Sequence, residues 1–233
     1  MEPIISTITT GEKTYEFNGQ MYTKEQYEMI LDRWGLRDDA YIVSLIKKQV
    51  QGENVSLPYI EKYAIVPIVE EMLYDDYLSY NSQGYQAIYD FICEHWNRIE
   101  NGYSLRYLTC CLEQCKDNIW VNLIPQLKRR LKKQIDKDGY ITIYRGFNDH
   151  SREDGNSFTL SRNIAIWFSR RFAEEISYVN TYKIHIEDVL AFITGRNETE
   201  IIAMPEDVIL LETNSYSDKV KISAGCKVEF INN

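Results

Sequence analysis

The stretch that decides the fold is Tyr140-Ile141-Thr142-Ile143-Tyr144-Arg145-Gly146, which follows the turn pair Asp138-Gly139. Its β-branched and aromatic residues recur with a period of two, so it reads as a strand that sends Ile141, Ile143 and Arg145 to one face. Downstream the composition stays strand-like, at residues 181–186, 201–203, 208–211, 219–222 and 227–231. One helix interrupts it, from residue 162 to about 175, with Ser161 placed to cap its free N–H groups. Ile164, Phe168 and Phe172 would anchor that helix to the core.

Upstream the periodicity changes. Residues 14–23 alternate around Asn18-Gly19, a favoured two-residue hairpin turn. From Lys24 to about Gln114 apolar residues recur at three and four, as in Tyr27, Ile30, Leu31 and Trp34, or Tyr85, Ile88, Tyr89, Ile92 and Trp96. That predicts several helices, broken near Gly35, Pro58, Gly84 and Gly102. A further helix is expected over residues 120–135, from Leu123, Leu127, Leu131 and Ile135. The fold class is therefore α+β, with a mainly helical region over residues 1–137, including the short hairpin, and a strand-rich region over 138–233. The two are expected to pack as one body.

The 233 residues are 44% hydrophobic and 26% charged, which excludes disordered, collagen-like and coiled-coil classes. With 26 basic against 35 acidic residues the net charge is −9, unsuited to a surface that grips polyanions throughout. The run Lys128-Arg129-Arg130-Leu131-Lys132-Lys133 is the local exception, and it also fits the solvated face of an amphipathic helix. No stretch reaches the about 18 apolar residues of a membrane span, and the first residues lack a secretion signal, so a cytoplasmic protein is expected. Five cysteines argue against a disulfide framework; Cys111 and Cys115 read as buried thiols rather than a zinc pair. Eighteen tyrosines are an unusual count, and those at helical spacing upstream read as packing.

Three places carry candidate chemistry. Arg145 ends a face that should be buried, so its guanidinium needs an anion, either a structural carboxylate or a ligand phosphate. Gly146 would let a ligand approach the backbone. Ser157, Thr159 and Ser161 lie on one side of an extended segment, suited to a polar neighbour or a ribose, or simply to capping the next helix. Glu198 and Glu200 are two apart, so on extended chain they emerge on one face roughly 6.5–7 Å apart. Such a pair is either a solvated acidic loop or the carboxylates of glycosyl transfer, one stabilising an oxocarbenium-like sugar and the other taking a proton.

In this order, Tyr144-Arg145-Gly146, then Ser157 to Ser161 with the following helix, then Glu198-Thr199-Glu200, the chain resembles the ADP-ribosyltransferases of the arginine-serine-glutamate class over about residues 138–231. These include bacterial toxins, phage enzymes and toxin components of defence loci. The resemblance implies a mixed α/β core with two small, mostly antiparallel sheets around an NAD cleft, and the helical half packed on it. It implies NAD as substrate and no metal, because NAD carries its own leaving group.

By the same resemblance Arg145 would hold the phosphate and ribose on the nicotinamide side, with Gly146 meeting the amide and Tyr144 beside the pocket. Thr159 and Ser161 would shape the site and orient the glutamate, or, in the alternative register, Ser157 and Thr159. Glu200 would stabilise the cation formed as nicotinamide leaves, and Glu198 would help deprotonate the acceptor. Arg145 where the poly-ADP-ribose-making class has histidine implies transfer of a single unit. The implied acceptor is a macromolecule, a protein arginine first and an RNA or DNA base second. An intracellular toxin of this kind implies an antitoxin or immunity partner. The remaining function classes are a nucleotide-binding module without turnover and an NAD glycohydrolase, in which water replaces the acceptor.

Overall fold

The computed structural model describes residues 5–7, 13–17, 20–23, 26, 39–99, 102–149, 151, 153–171, 173, 176–195 and 198–216. The predicted helix through Tyr27, Ile30 and Trp34, the Asn18-Gly19 turn, the strands at 219–222 and 227–231, and Cys226 lie outside them. The chain divides into two units, Met1–Glu100 and Asn101–Asn233. The sequence-based boundary near residue 138 therefore differs from the structural one, which groups the last long helix with the strands.

In the first unit, strands β1 (Ile5–Thr7), β2 (Lys13–Phe17) and β3 (Gln20–Thr23) form an antiparallel sheet in that order. β2 and β3 pair through Phe17↔Gln20, the register a two-residue connection requires. Helices α1 (Asp39–Val50), α2 (Ile65–Tyr74) and α3 (Ser82–His95) pack on one another. Each contributes a stripe at three and four spacing, Ile42, Val43, Leu45 and Ile46 from α1, Ile65, Ile68, Val69 and Met72 from α2, and Ile88 and Ile92 from α3.

The chain reverses between α2 and α3 around Asp75. Its carboxylate accepts from the Tyr77 and Leu78 N–H groups at 3.0 and 3.1 Å and from Lys47 at 2.9 Å. Asn81 then caps α3, accepting from the Gly84 N–H at 2.9 Å. The break expected near Gly84 falls just before it, between Tyr74 and Ser82. Gly84 itself sits in the first turn of α3, where a Cβ would collide with the Leu78 carbonyl.

The second unit opens with α4 (Gly102–Arg130), one helix of 29 residues where the sequence suggests two. Its buried stripe runs unbroken through Leu108, Cys111, Leu112, Cys115, Ile119, Leu123 and Leu127. Pro125 leaves the Val121 carbonyl without its helical donor, but Val121 is 83% exposed, so water can replace it. Cys111 and Cys115 are both buried and form no disulfide. Two of the five cations at the basic end are engaged: Lys128 pairs with Glu187 at 2.8 Å, and the Arg130 guanidinium lies 4.7 Å from the Phe192 ring centre.

Six strands follow, β4 (Tyr140–Asn148), β5 (Ser157–Thr159), β6 (Ser177–His185), β7 (Ala191–Gly195), β8 (Glu198–Ile202) and β9 (Ile209–Tyr216), with α5 (Arg162–Arg170) between β5 and β6. The sheet order is β7-β8-β5-β4-β6-β9, antiparallel throughout. The strand β7, built on Ala191, Phe192 and Ile193, is not among the segments the pattern predicts. These six strands thus join in one sheet, where two small sheets were expected around the cleft, but the junction is slight: β4 and β6 pair along nine residues, whereas β4 and β5 share only Tyr144↔Thr159. The sheet is two triplets of strands tied at a single residue pair.

The helix α5 also differs from expectation. It is capped by Ser161, as predicted, but buries Ala165 and Ser169, whereas Phe168 is 38% exposed. The cause is on β4. A Cβ at Gly146 would overlap the Ala165 carbonyl, so the absent side chain lets the α5 backbone lie directly on the strand. Only small residues fit that contact. The buried Asn148 side chain adds a hydrogen bond to the Ser169 carbonyl at 2.8 Å.

Candidate active site

The weak junction between the two strand triplets is where the candidate residues meet. A cleft of about 300 Å³ opens there, lined among others by Tyr144, Arg145, Gly146, Ser157, Thr159 and Glu200. A sheet pleated continuously would fill this position with paired strands, so the single-pair junction creates the cavity.

Arg145 points as the alternation predicts. Its strand neighbours Ile141 and Ile143 are buried, and its cross-strand partner on β6 is the fully buried Asn180. The guanidinium donates from Nε to the Glu153 carbonyl at 3.0 Å and from Nη1 to the Ser157 carbonyl at 2.7 Å. Two of its partners are therefore backbone oxygens, that of Glu153 in the segment before β5 and that of Ser157 at the start of β5. Gly155 is required between them, because a Cβ there would overlap the guanidinium. Burial pulls the Arg145 pKa below its ordinary value, and the nearby Tyr182, Asp154 and Glu200 oppose that pull. Arginine begins so far above neutrality that it remains a cation at physiological pH.

Beneath this segment Asn180 donates to the Glu153 carboxylate at 2.9 Å and to the Tyr182 hydroxyl at 2.7 Å. Arg145 and Asn180, opposite each other on β4 and β6, thus both hold Glu153, one by its carbonyl and the other by its carboxylate.

Ser157 connects the two charged groups. Its carbonyl accepts from Arg145 and its hydroxyl donates to Glu200 Oε1. Glu200 reaches this point because β8 pairs with β5 in the register Thr159↔Glu200 and Ser157↔Ile202, which puts Glu200 diagonal to Ser157 on one face. The next hydroxyls do other work. Thr159 Oγ1 accepts from the Ser161 N–H at 3.1 Å, closing a short turn, and Ser161 Oγ accepts from the Ile164 N–H at 3.4 Å as the cap of α5. The first register of the middle motif, with Thr159 and Ser161 orienting the glutamate, gives way to Ser157 for that contact. Helix capping takes Ser161 for itself.

Glu198 lies in β8 opposite Gly195. Its side chain lies outside the described residues, so the spacing of the two carboxylates rests on the strand geometry alone. The cleft contains a residue the motif reading missed, Arg171, just beyond the end of α5, with its guanidinium 5.2 Å from the Trp167 ring centre. The signal was the arginine pair Arg170-Arg171 inside the helix expected over residues 162 to about 175, but their direction depends on how α5 lies on Gly146. Two arginines and one carboxylate around a cavity can hold a diphosphate at one end and a developing cation at the other.

Among the described residues, no group of three or more His, Cys, Asp and Glu is arranged to hold a metal ion, and no helix is long and apolar enough to cross a membrane. No family model, curated protein or solved structure matches the chain.

Proposed function

We propose that this protein is an NAD-dependent mono-ADP-ribosyltransferase, built on the two-sheet fold of that class and acting on a macromolecule. The observation that carries the reading is Ser157, which ties Arg145 through its carbonyl and Glu200 through its hydroxyl into one cleft. The three elements of the arginine-serine-glutamate pattern, dispersed over residues 145–200, meet there. The two strand triplets joined at Tyr144↔Thr159 support the fold assignment.

NAD would enter with its nicotinamide ribose near Glu200 and its diphosphate towards Arg145 and Arg171. The cleft is at the lower end of the about 300–1,000 Å³ usual for small-ligand sites, which suits the nicotinamide end while the adenosine extends outward. The bond between the ribose C1′ and the nicotinamide nitrogen breaks, and its electron pair leaves with nicotinamide. Glu200, held in place by Ser157, stabilises the positive charge that develops on the ribose without having to reorganise. The acceptor nitrogen then bonds to C1′ and loses a proton. For a protein arginine, protonated at neutral pH, Glu198 would receive that proton.

A protein acceptor is favoured over nucleic acid because Lys128 and Arg130 of the basic run are engaged with Glu187 and Phe192. The wider setting we propose is that of an intracellular toxin or phage-conflict protein with a neutralising partner.

The test is incubation of the protein with NAD labelled in the adenosine half, separately with total cell protein and with total RNA and DNA. Label should enter protein, nicotinamide should be released in equal amount, and Glu200→Gln should lower the rate at least about a hundredfold, in the range for a removed electrostatic stabiliser. Label confined to nucleic acid would replace the acceptor. Nicotinamide release with no labelled polymer would make water the acceptor. Absence of nicotinamide release from the parent protein under all of these conditions would refute the enzyme reading.

A further inference from the structure

The first unit leaves tyrosines where the sequence suggests packing. Tyr85 and Tyr89 of α3 are buried, but Tyr74 and Tyr80 expose 84% and 89% of their surface, and Tyr77 37%. All three fall in the stretch of residues 70–80, together with the exposed carboxylates of Glu70, Glu71 and Asp76. Each tyrosine ring offers a large apolar face with a polar tip, the chemistry enriched at protein interfaces, and three in one turn are more than scattered surface residues.

The charge around them is negative on balance. Residues 39–99 hold 4 lysines and arginines and 9 aspartates and glutamates, so 4 − 9 = −5. The unit also shows how such rings take cations. Lys47 lies 5.8 Å from the Tyr77 ring centre while pairing with Asp75, and Arg98 lies 5.0 Å from that of Tyr59. No cation among the described residues covers Tyr74 or Tyr80.

We infer that this ridge is a docking surface for an arginine- and lysine-rich segment of a protein partner. The carboxylates attract the segment from a distance, and the open ring faces then accept guanidinium groups, a contact that is worth more for arginine than for lysine. A nucleic acid is repelled by the same carboxylates. A second copy would bring the ridge against its own charge in a two-fold contact, which like-charge repulsion opposes. This inference is independent of the chemistry in the cleft.

The experiment uses the full chain and a fluorescently labelled peptide of alternating arginine and glycine, followed by anisotropy at low and high salt, with an alternating glutamate and glycine peptide as control. The arginine peptide should bind and the glutamate peptide should not. Combining Tyr74→Ala with Tyr80→Ala should weaken binding about tenfold, from two lost ring contacts. Combining Glu70→Gln, Glu71→Gln and Asp76→Asn should weaken it by about as much at low salt and remove most of the salt dependence. All these side chains are exposed, so melting temperatures should match the parent and exclude misfolding as the cause. Failure of the arginine peptide to bind the parent, or equal binding by both combined variants, would overturn the inference. So would a dimer seen by sedimentation that Tyr74→Ala dissolves, since that would assign the ridge to a second copy.

Discussion

Ser157→Ala separates the orienting role of this residue from its place in the scaffold. The substitution removes the hydroxyl that donates to Glu200 but leaves the backbone carbonyl that accepts from Arg145 Nη1 at 2.7 Å. The Arg145 clamp on the segment, completed by the Glu153 carbonyl at 3.0 Å, therefore persists, as does the pairing of β5 with β8. What is lost is one hydrogen bond to a carboxylate in a partly buried site, worth about 1.5–3 kcal/mol. If that energy serves to hold Glu200 where charge develops, the loss falls on the transition state. At about 1.4 kcal/mol per factor of ten, kcat should drop roughly 10- to 150-fold. The KM for NAD should move less than about threefold, because the arginines proposed to bind the diphosphate are untouched.

The assay is nicotinamide release at a series of NAD concentrations, beside thermal unfolding of the same preparations. Ser157→Thr, which restores a hydroxyl on a residue suited to strands, should recover most of the rate. An unchanged kcat in Ser157→Ala, with Glu200→Gln inactive, would refute the orienting role while leaving Glu200 in place. A rise in KM alone would instead make Ser157 a direct ligand of NAD.

Two further outcomes concern the scaffold. Gly146→Ala places a methyl against the Ala165 carbonyl, and backbone cannot step aside as a side-chain tip would, so about 1–3 kcal/mol of stability should be lost, read as a melting temperature lower by roughly 3–10 °C. A variant that melts like the parent would mean that α5 does not lie on β4 as described. His95 is buried, and burial lowers its pKa from the ordinary 6.5, with Glu94 opposing and Arg98 adding to the shift. A depressed pKa means the unfolded state takes up the proton first, so its contribution to stability is present above 6.5 and is lost as pH falls through the lower folded value. Denaturant unfolding between about pH 7 and pH 5 should show this loss, and His95→Phe should flatten it; an equal slope in both proteins would contradict the assignment.

Local structure was legible in the sequence where a single physical cause acts. The alternation at residues 140–146 marks β4, and the buried run 108–127 follows from three and four spacing once Pro125 is recognised as tolerable on an exposed face. Ser161 as the cap of α5 follows from its hydroxyl and the residues after it. Where two causes compete, the pattern misleads. Gly84 reads as marking a break and Gly146 as admitting a ligand, and neither pattern announces that each also admits a neighbouring backbone. Phe168 reads as an anchor, yet the close approach at Gly146 buries Ala165 and turns Phe168 towards the cleft. The upstream tyrosines share a helical period, which cannot distinguish a ring facing the core at Tyr85 from one facing solvent at Tyr74.

The sequence by itself determined the residue types and the order of the candidate site, Arg145, then the hydroxyl cluster, then Glu198 and Glu200, because side-chain chemistry and strand period are local properties. Only the tertiary structure decided that Ser157 holds Glu200, that Ser161 is occupied as a helix cap, that Arg145 is engaged by the Glu153 and Ser157 carbonyls, and that Arg171 joins the cleft. Those facts depend on strand register and on the way α5 lies across β4. Register is set by pairing between segments some 40 residues apart, and no window of sequence carries it.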